Sequence, residues 1–150
     1  MKAVRASARA AFYFAKSGEV RMVNIATMFG SNDIEKAKAF YDEVLASIGL
    51  VRLMEHGSGG RIYGTPAGMP LLSIVRPFDG SAATAGNGTM ASLLCDSAEQ
   101  VSAIHAKAME LGGRDEGAPG PREGGGATVH AAYFRDLDGN KICAIHFKTM

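Results

Sequence analysis

An apolar, strand-like run over residues 23–29 ends at Gly30, and Ser31, Asn32 and Asp33 follow with the short polar side chains that cap a helix. Beyond Asp33 the apolar positions Ile34, Ala37, Phe40, Tyr41, Val44, Leu45 and Ile48 recur at the three- and four-residue spacing of one helix face, until Gly49 closes it. The pattern then returns. Residues 90–94 are again strand-like, Asp96 and Ser97 supply the cap, and Val101, Ile104, Ala108 and Leu111 form the stripe of a second helix that ends at Gly112 and Gly113. Asp96 stands as far from Gly112 as Asp33 does from Gly49, so the chain carries an internal duplication.

Strand candidates separated by glycine turns follow each helix: Val51–Glu55, Arg61–Gly64 and residues 71–75 in the first unit, residues 128–135 and 141–148 in the second. The order strand, helix, run of strands therefore occurs twice, over about residues 22–80 and 86–148. Residues 114–126 are rich in glycine and proline, with little to pack in a core, and read as a loop with room for a short strand beside a ligand site.

Composition narrows the class. A chain of 150 residues with 47% hydrophobic and 21% charged side chains suits one globular domain, here residues 22–150, and excludes a disordered or fibrous protein. No uncharged apolar run reaches the length of a bilayer-spanning helix. A net charge of +1 points to neither a nucleic-acid nor a membrane-surface partner. Residues 1–21 hold Lys2, Arg5, Arg9, Lys16 and Arg21 against Glu19 alone, and are expected to be an extension outside the domain. Cys95 and Cys143 lie far apart and outside any CxxC spacing, so a reducing, cytoplasmic setting is expected.

Candidate chemistry is sparse. His56, His105, His130 and His146 show no HxH or HxxxH spacing of a local metal site. His105 follows an inward-facing Ile and reads as a boundary residue, His56 as a solvated strand end beside Glu55, and His130, next to the glycine-rich segment, as a ligand contact. Cys143 sits in an apolar run and reads as a small core residue. Asp136-Leu137-Asp138-Gly139-Asn140 is a tight turn between the last two strands; as a calcium loop it fails, since the twelfth position is Phe147 where a Glu is needed.

Asp33-Ile34-Glu35-Lys36-Ala37-Lys38-Ala39-Phe40-Tyr41-Asp42, with Leu45 and Gly49 after it, resembles the helix segment of the vicinal oxygen chelate superfamily, which groups glyoxalase I, bleomycin-resistance proteins and extradiol dioxygenases. Residues 132–142 resemble the family's "aYfrDPDGNkIE" signature with Leu137 in place of proline, and Gly86-Asn87-Gly88-Thr89 and residues 115–120 are similar to segments of a bacterial subgroup. The resemblance implies an α+β fold: paired βαβββ modules forming a curved, cavity-enclosing mixed sheet with helices outside. It also implies a divalent metal that chelates two neighbouring substrate oxygens.

The metal positions that the resemblance implies are occupied here by Ala26, Met90 and Cys143, and residues 71–75 offer no carboxylate or imidazole; Asn24 and Thr27 flank the first of them. The expected outcome is a protein without a metal cofactor. Its cavity would be lined by Met90, Ser92, Cys143 and Ser73, with Tyr63 and His130 at the rim, and would take a small organic ligand. Alternation along the strands sends Cys143, Ile145 and Phe147 to the cavity with Met90, Ser92 and Leu94, and Ile142, Ala144 and His146 to the helix side. The competing expectation is a metal-dependent lactoylglutathione-lyase-like enzyme with displaced ligands from Glu55, His56 or His130; a third is a structural homodimer with a vestigial pocket. Exposed strand edges and family habit both imply a homodimer.

Overall fold

The computed structural model describes residues 25–124 and 127–147. The first module is β1 (Thr27–Gly30), α1 (Ile34–Ala46), β2 (Val51–Glu55), β3 (Arg61–Gly64) and β4 (Pro70–Val75); the second is β5 (Ala91–Leu94), α2 (Ala98–Glu110), β6 (Arg114–Gly124), β7 (Ala127–Arg135) and β8 (Lys141–Phe147). Each module folds into a four-stranded mixed sheet of matching order, β1-β4-β3-β2 and β5-β8-β7-β6. In both, the strand ahead of the helix lies parallel to the last strand while the other pairs are antiparallel. The duplication read from the helices is thus a duplication of topology.

Both helices begin where the caps predict. The Asp33 carboxylate accepts the Lys36 amide at 3.2 Å and the Ser97 hydroxyl accepts the Gln100 amide at 3.3 Å, each satisfying a donor that the first turn leaves unpaired. From α1, Phe40, Tyr41, Val44 and Leu45 pack toward Phe29, Tyr63, Leu72 and Ile74; from α2, Val101, Ile104 and Ala108 pack toward Ala132, Phe134, Ile142 and Ala144. These form one cluster, so the modules share a core on the helix side of their sheets. Burying each large apolar side chain contributes roughly 1.5–3 kcal/mol. No helix among the described residues is long and apolar enough to cross a membrane.

Three expectations change. The first strand is shorter than residues 23–29, starting at Thr27. Residues 23 and 24 lie outside the described residues, as does the extension over residues 1–21. Residues 114–124 form a strand, the sheet edge, despite Pro119 and Pro121. Bulges between Asp115 and Gly117 and between Gly117 and Gly120 absorb the mismatch, and an edge needs ladder bonds on one side only. His105 is buried, its Nε2 2.8 Å from Asp115 Oδ1, so it ties α2 to this strand.

The Asp136–Asn140 turn does more than join β7 to β8. Asp136 is buried and accepts the Tyr41 hydroxyl at 2.7 Å, the Asn140 amide and side-chain NH₂ each at 2.8 Å, and the Asp138 amide at 3.0 Å. Asn140 Nδ2 also donates to Gly30 O at 3.3 Å, and the Asn32 amide donates to Asp138 Oδ1 at 2.8 Å. Tyr41, Gly30 and Asn32 belong to the first module, so the turn clamps the two halves together.

This burial sets an alkaline limit on the fold. Burial, and then the Asp136 charge, push ionisation of Tyr41 well above the usual tyrosine range; Tyr63 is raised by burial and Asp42, and burial lifts the Cys95 thiol to about 11. In the unfolded chain these groups ionise at about 8.5 for Cys and about 10 for Tyr. Keeping them neutral therefore contributes stability that is complete below about pH 8.5 and is lost as pH rises toward the folded values. The melting temperature is expected to hold to about pH 8 and to fall steadily from about pH 9 to 11, less steeply in Tyr41→Phe. A flat profile to about pH 11 would refute this.

Candidate functional site

Register fixes which side chains share a face. In the first sheet Thr27, Phe29, Leu72, Ile74, Tyr63 and Arg61 point to α1, leaving Met28, Ser73 and Ile62 in one row on the opposite, concave face. In the second, Ala91, Leu93, Ile142, Ala144, Phe134 and Ala132 point to α2, and Ser92, Cys143 and Tyr133 form the matching concave row, with Leu94, Ile145 and Ala131 in the next. The expected placement of Cys143, Ile145, Phe147, Ser92 and Leu94 opposite Ile142, Ala144 and His146 is the observed one. Met90 lies just before β5 and is exposed.

Two of the expected rim residues face the other way. Tyr63 is buried on the helix side, its hydroxyl donating to Asp42 Oδ1 at 2.9 Å, where Arg61 also binds at 2.7 Å. His130 pairs across the ladder with His146, on the side where His146 Nδ1 lies 3.1 Å from Cys95 O. Neither contributes to the concave face. Tyr133, which sequence reading passed over, does: it stands directly opposite Cys143, and Arg122 and Lys141 lie 5.7 and 5.6 Å from its ring centroid.

Among the described residues of one chain the two concave faces do not close on each other, and the sheets share no ladder. The expected enclosed cavity is, in a single chain, a pair of open surfaces: Met28 is 59% exposed, Met54 61%, Leu94 67% and Phe147 56%. A groove of about 420 Å³ opens at the edge of the first face, lined by Met28, Val75, Pro77 and Phe78 among others.

Among the described residues of one chain, the positions where the resemblance implies a metal hold few donors. Ala26 offers none, and Ser73 on the first concave face is a buried hydroxyl. The Cys143 thiol is buried between Ser92 and Tyr133, and burial raises its ionisation, whereas a strong ligand would be the thiolate. Glu55 is held by Arg61 Nε at 2.7 Å, which keeps its carboxyl below the usual range, and His56 Nδ1 lies 3.0 Å from Ser58 Oγ. Thr27 faces α1, and Asn24 is outside the described residues. Among the described residues of one chain no three His, Cys, Asp or Glu side chains converge as a metal site.

With this geometry in place, residues 25–144 match the Glyoxalase/Bleomycin resistance protein/Dioxygenase superfamily. A glyoxalase/bleomycin resistance protein from Albidiferax ferrireducens is 40% identical, with a TM-score of 0.74 over 81% of this chain and 96% of its own. A glyoxalase-related enzyme from Fulvimarina pelagi (16% identity, TM-score 0.63, covering 84% and 88%) and a hypothetical protein of S. aureus (20%, 0.62, 84% and 94%) share the fold. No curated protein matches the chain.

Proposed function

The chain belongs to the glyoxalase/bleomycin resistance/dioxygenase superfamily, and from that premise we propose that it binds a small organic molecule between concave sheet faces without a divalent metal. One observation carries this: where the resemblance implies metal donors, the chain has Ala26, Met90 and Cys143 and no carboxylate or imidazole over residues 71–75, and the sheet faces carry the apolar side chains of Met28, Ile62, Leu94, Ile145 and Phe147. Such a surface desolvates an apolar ligand body and orients it through a few polar groups. Any chemistry it performs is metal-independent, of lyase or isomerase type. The alternative, a metal-dependent lyase, draws no support from Glu55, which Arg61 engages, or from His130, which lies on the helix side of the other module.

A second copy of the chain completes the site. Exposed Met28, Met54, Leu94 and Phe147 make open apolar faces, and strands β1, β2, β5 and β6 are the sheet edges among the described residues, both of which a partner covers. We place the protein in the cytoplasm, where Cys95 and Cys143 stay reduced. The test is sedimentation at micromolar concentration together with mass spectrometry of the native protein. The expected result is twice the chain mass of 15.7 kDa, with a small organic molecule retained. A monomer with no retained molecule would overturn the reading.

A further inference from the structure

On the reading that the concave faces bind a small organic molecule, we infer that the second sheet recognises the carboxylate of an organic acid, with Arg122 as the anchoring cation and Lys141 beside it. Charge gives the first argument. Arg135 Nε and Arg114 Nη2 bind Glu116 Oε1 at 2.7 and 3.1 Å, and Lys141 Nζ lies 3.7 Å from Oε2. Three cations thus share one carboxylate. Arg122, on the same sheet, has no carboxylate partner among the described residues, so this end of the face carries surplus positive charge.

Arg122 is also held in place. Its Nη2 donates to Ala118 O at 2.7 Å and its Nη1 to Pro121 O at 3.0 Å, while the guanidinium lies over the Tyr133 ring. Two neutral carbonyls orient the fork without cancelling its charge, and three of its five N–H donors remain. The backbone of β6 is shaped around it: a Cβ on Gly120 would come within 3.2 Å of Nη1, and one on Gly117 within 3.0 Å of Tyr133 Cδ2. A pre-positioned, half-buried arginine is the donor geometry that a planar carboxylate matches with two parallel hydrogen bonds.

What lies next to it suits the rest of such a molecule. Arg122 pairs with Val129, which is opposite Phe147, and Tyr133 pairs with Cys143, which is beside Ser92. Arg122 and Lys141 lie 5.7 and 5.6 Å from the ring of Tyr133, the ladder partner of Cys143, which brings both cations to the middle of the face. From there the surface turns apolar toward Ile145, Leu94 and Phe147. An acid head at Arg122 therefore has an apolar wall for its body.

The experiment is a calorimetric titration of the full chain with 3-phenylpropanoate and, separately, its neutral analogue 3-phenylpropanamide. The acid is expected to bind at least about tenfold more tightly at low salt, a preference that shrinks as salt rises. Arg122→Met should abolish the preference and Arg114→Met should keep it; should Arg122→Met fail to fold, Lys141→Met, expected to weaken the preference, takes its place. Equal binding of acid and amide would overturn this inference and leave the cavity reading standing. Binding of neither would overturn both. A preference that survives Arg122→Met, or that survives Lys141→Met where that variant stands in, would overturn the assignment.

Discussion

Asp136→Ala is expected to lower the unfolding free energy by about 3–5 kcal/mol, the upper end for a single change. The carboxylate accepts hydrogen bonds from Tyr41, Asn140 and Asp138, and both it and Tyr41 are buried. Removing it leaves the Tyr41 hydroxyl without an acceptor, which by itself costs roughly 1–3 kcal/mol, and releases the turn that joins the modules. Asp138→Ala, which loses the tie to Asn32 at the surface, should cost under about 1 kcal/mol. Denaturant unfolding with an unchanged slope checks both. A loss below about 1 kcal/mol for Asp136→Ala would mean that the turn is a connector and not a clamp.

The second large effect is a gain. Ala26→His, Met90→His and Cys143→Glu together restore nitrogen and oxygen donors at the positions where the resemblance implies a metal. Zn²⁺, Ni²⁺ or Co²⁺ should then bind with measurable heat at micromolar protein. Because the donors come from both modules, the gain also requires the faces to meet, as they do if a second copy is seated. Metal-free, the variant should be less stable by about 1–3 kcal/mol for each unpaired group, and metal at about a hundredfold over its dissociation constant should return roughly 2.7 kcal/mol. A folded variant that shows no heat would contradict the assignment of those positions.

The parts of this fold that were legible from sequence are those where one signal dominates. Both helices carry an unbroken apolar stripe between a side-chain cap and a glycine, so their limits needed no tertiary information. Strand β6 was obscured because its glycines and prolines argue for a loop, and only pairing with β7 makes them a bulged edge. The same composition hides Arg122. The side of His130 is legible by counting: the Asp136–Asn140 turn sets Arg135 opposite Lys141, and counting back along both strands puts His130 opposite His146, on the helix side. Counting does not place Tyr63, since register shifts between Arg52 and Met54 in the β2–β3 ladder and between Tyr63 and Gly64 in the β3–β4 ladder break the parity on both sides of β3. The clamp role of Asp136 rests on Tyr41, far away in sequence, and no local pattern announces it.

Whether this glyoxalase-fold protein binds its ligand without a metal is tested most directly by metal analysis of the wild-type protein. The protein is purified without chelator and its content of Zn, Ni, Co, Mn and Fe is measured per chain, before and after equilibration with each ion and gel filtration. Far less than one equivalent of any ion is expected in both measurements. One tightly held divalent metal per chain would contradict the metal-free reading and would put the metal-dependent lyase first.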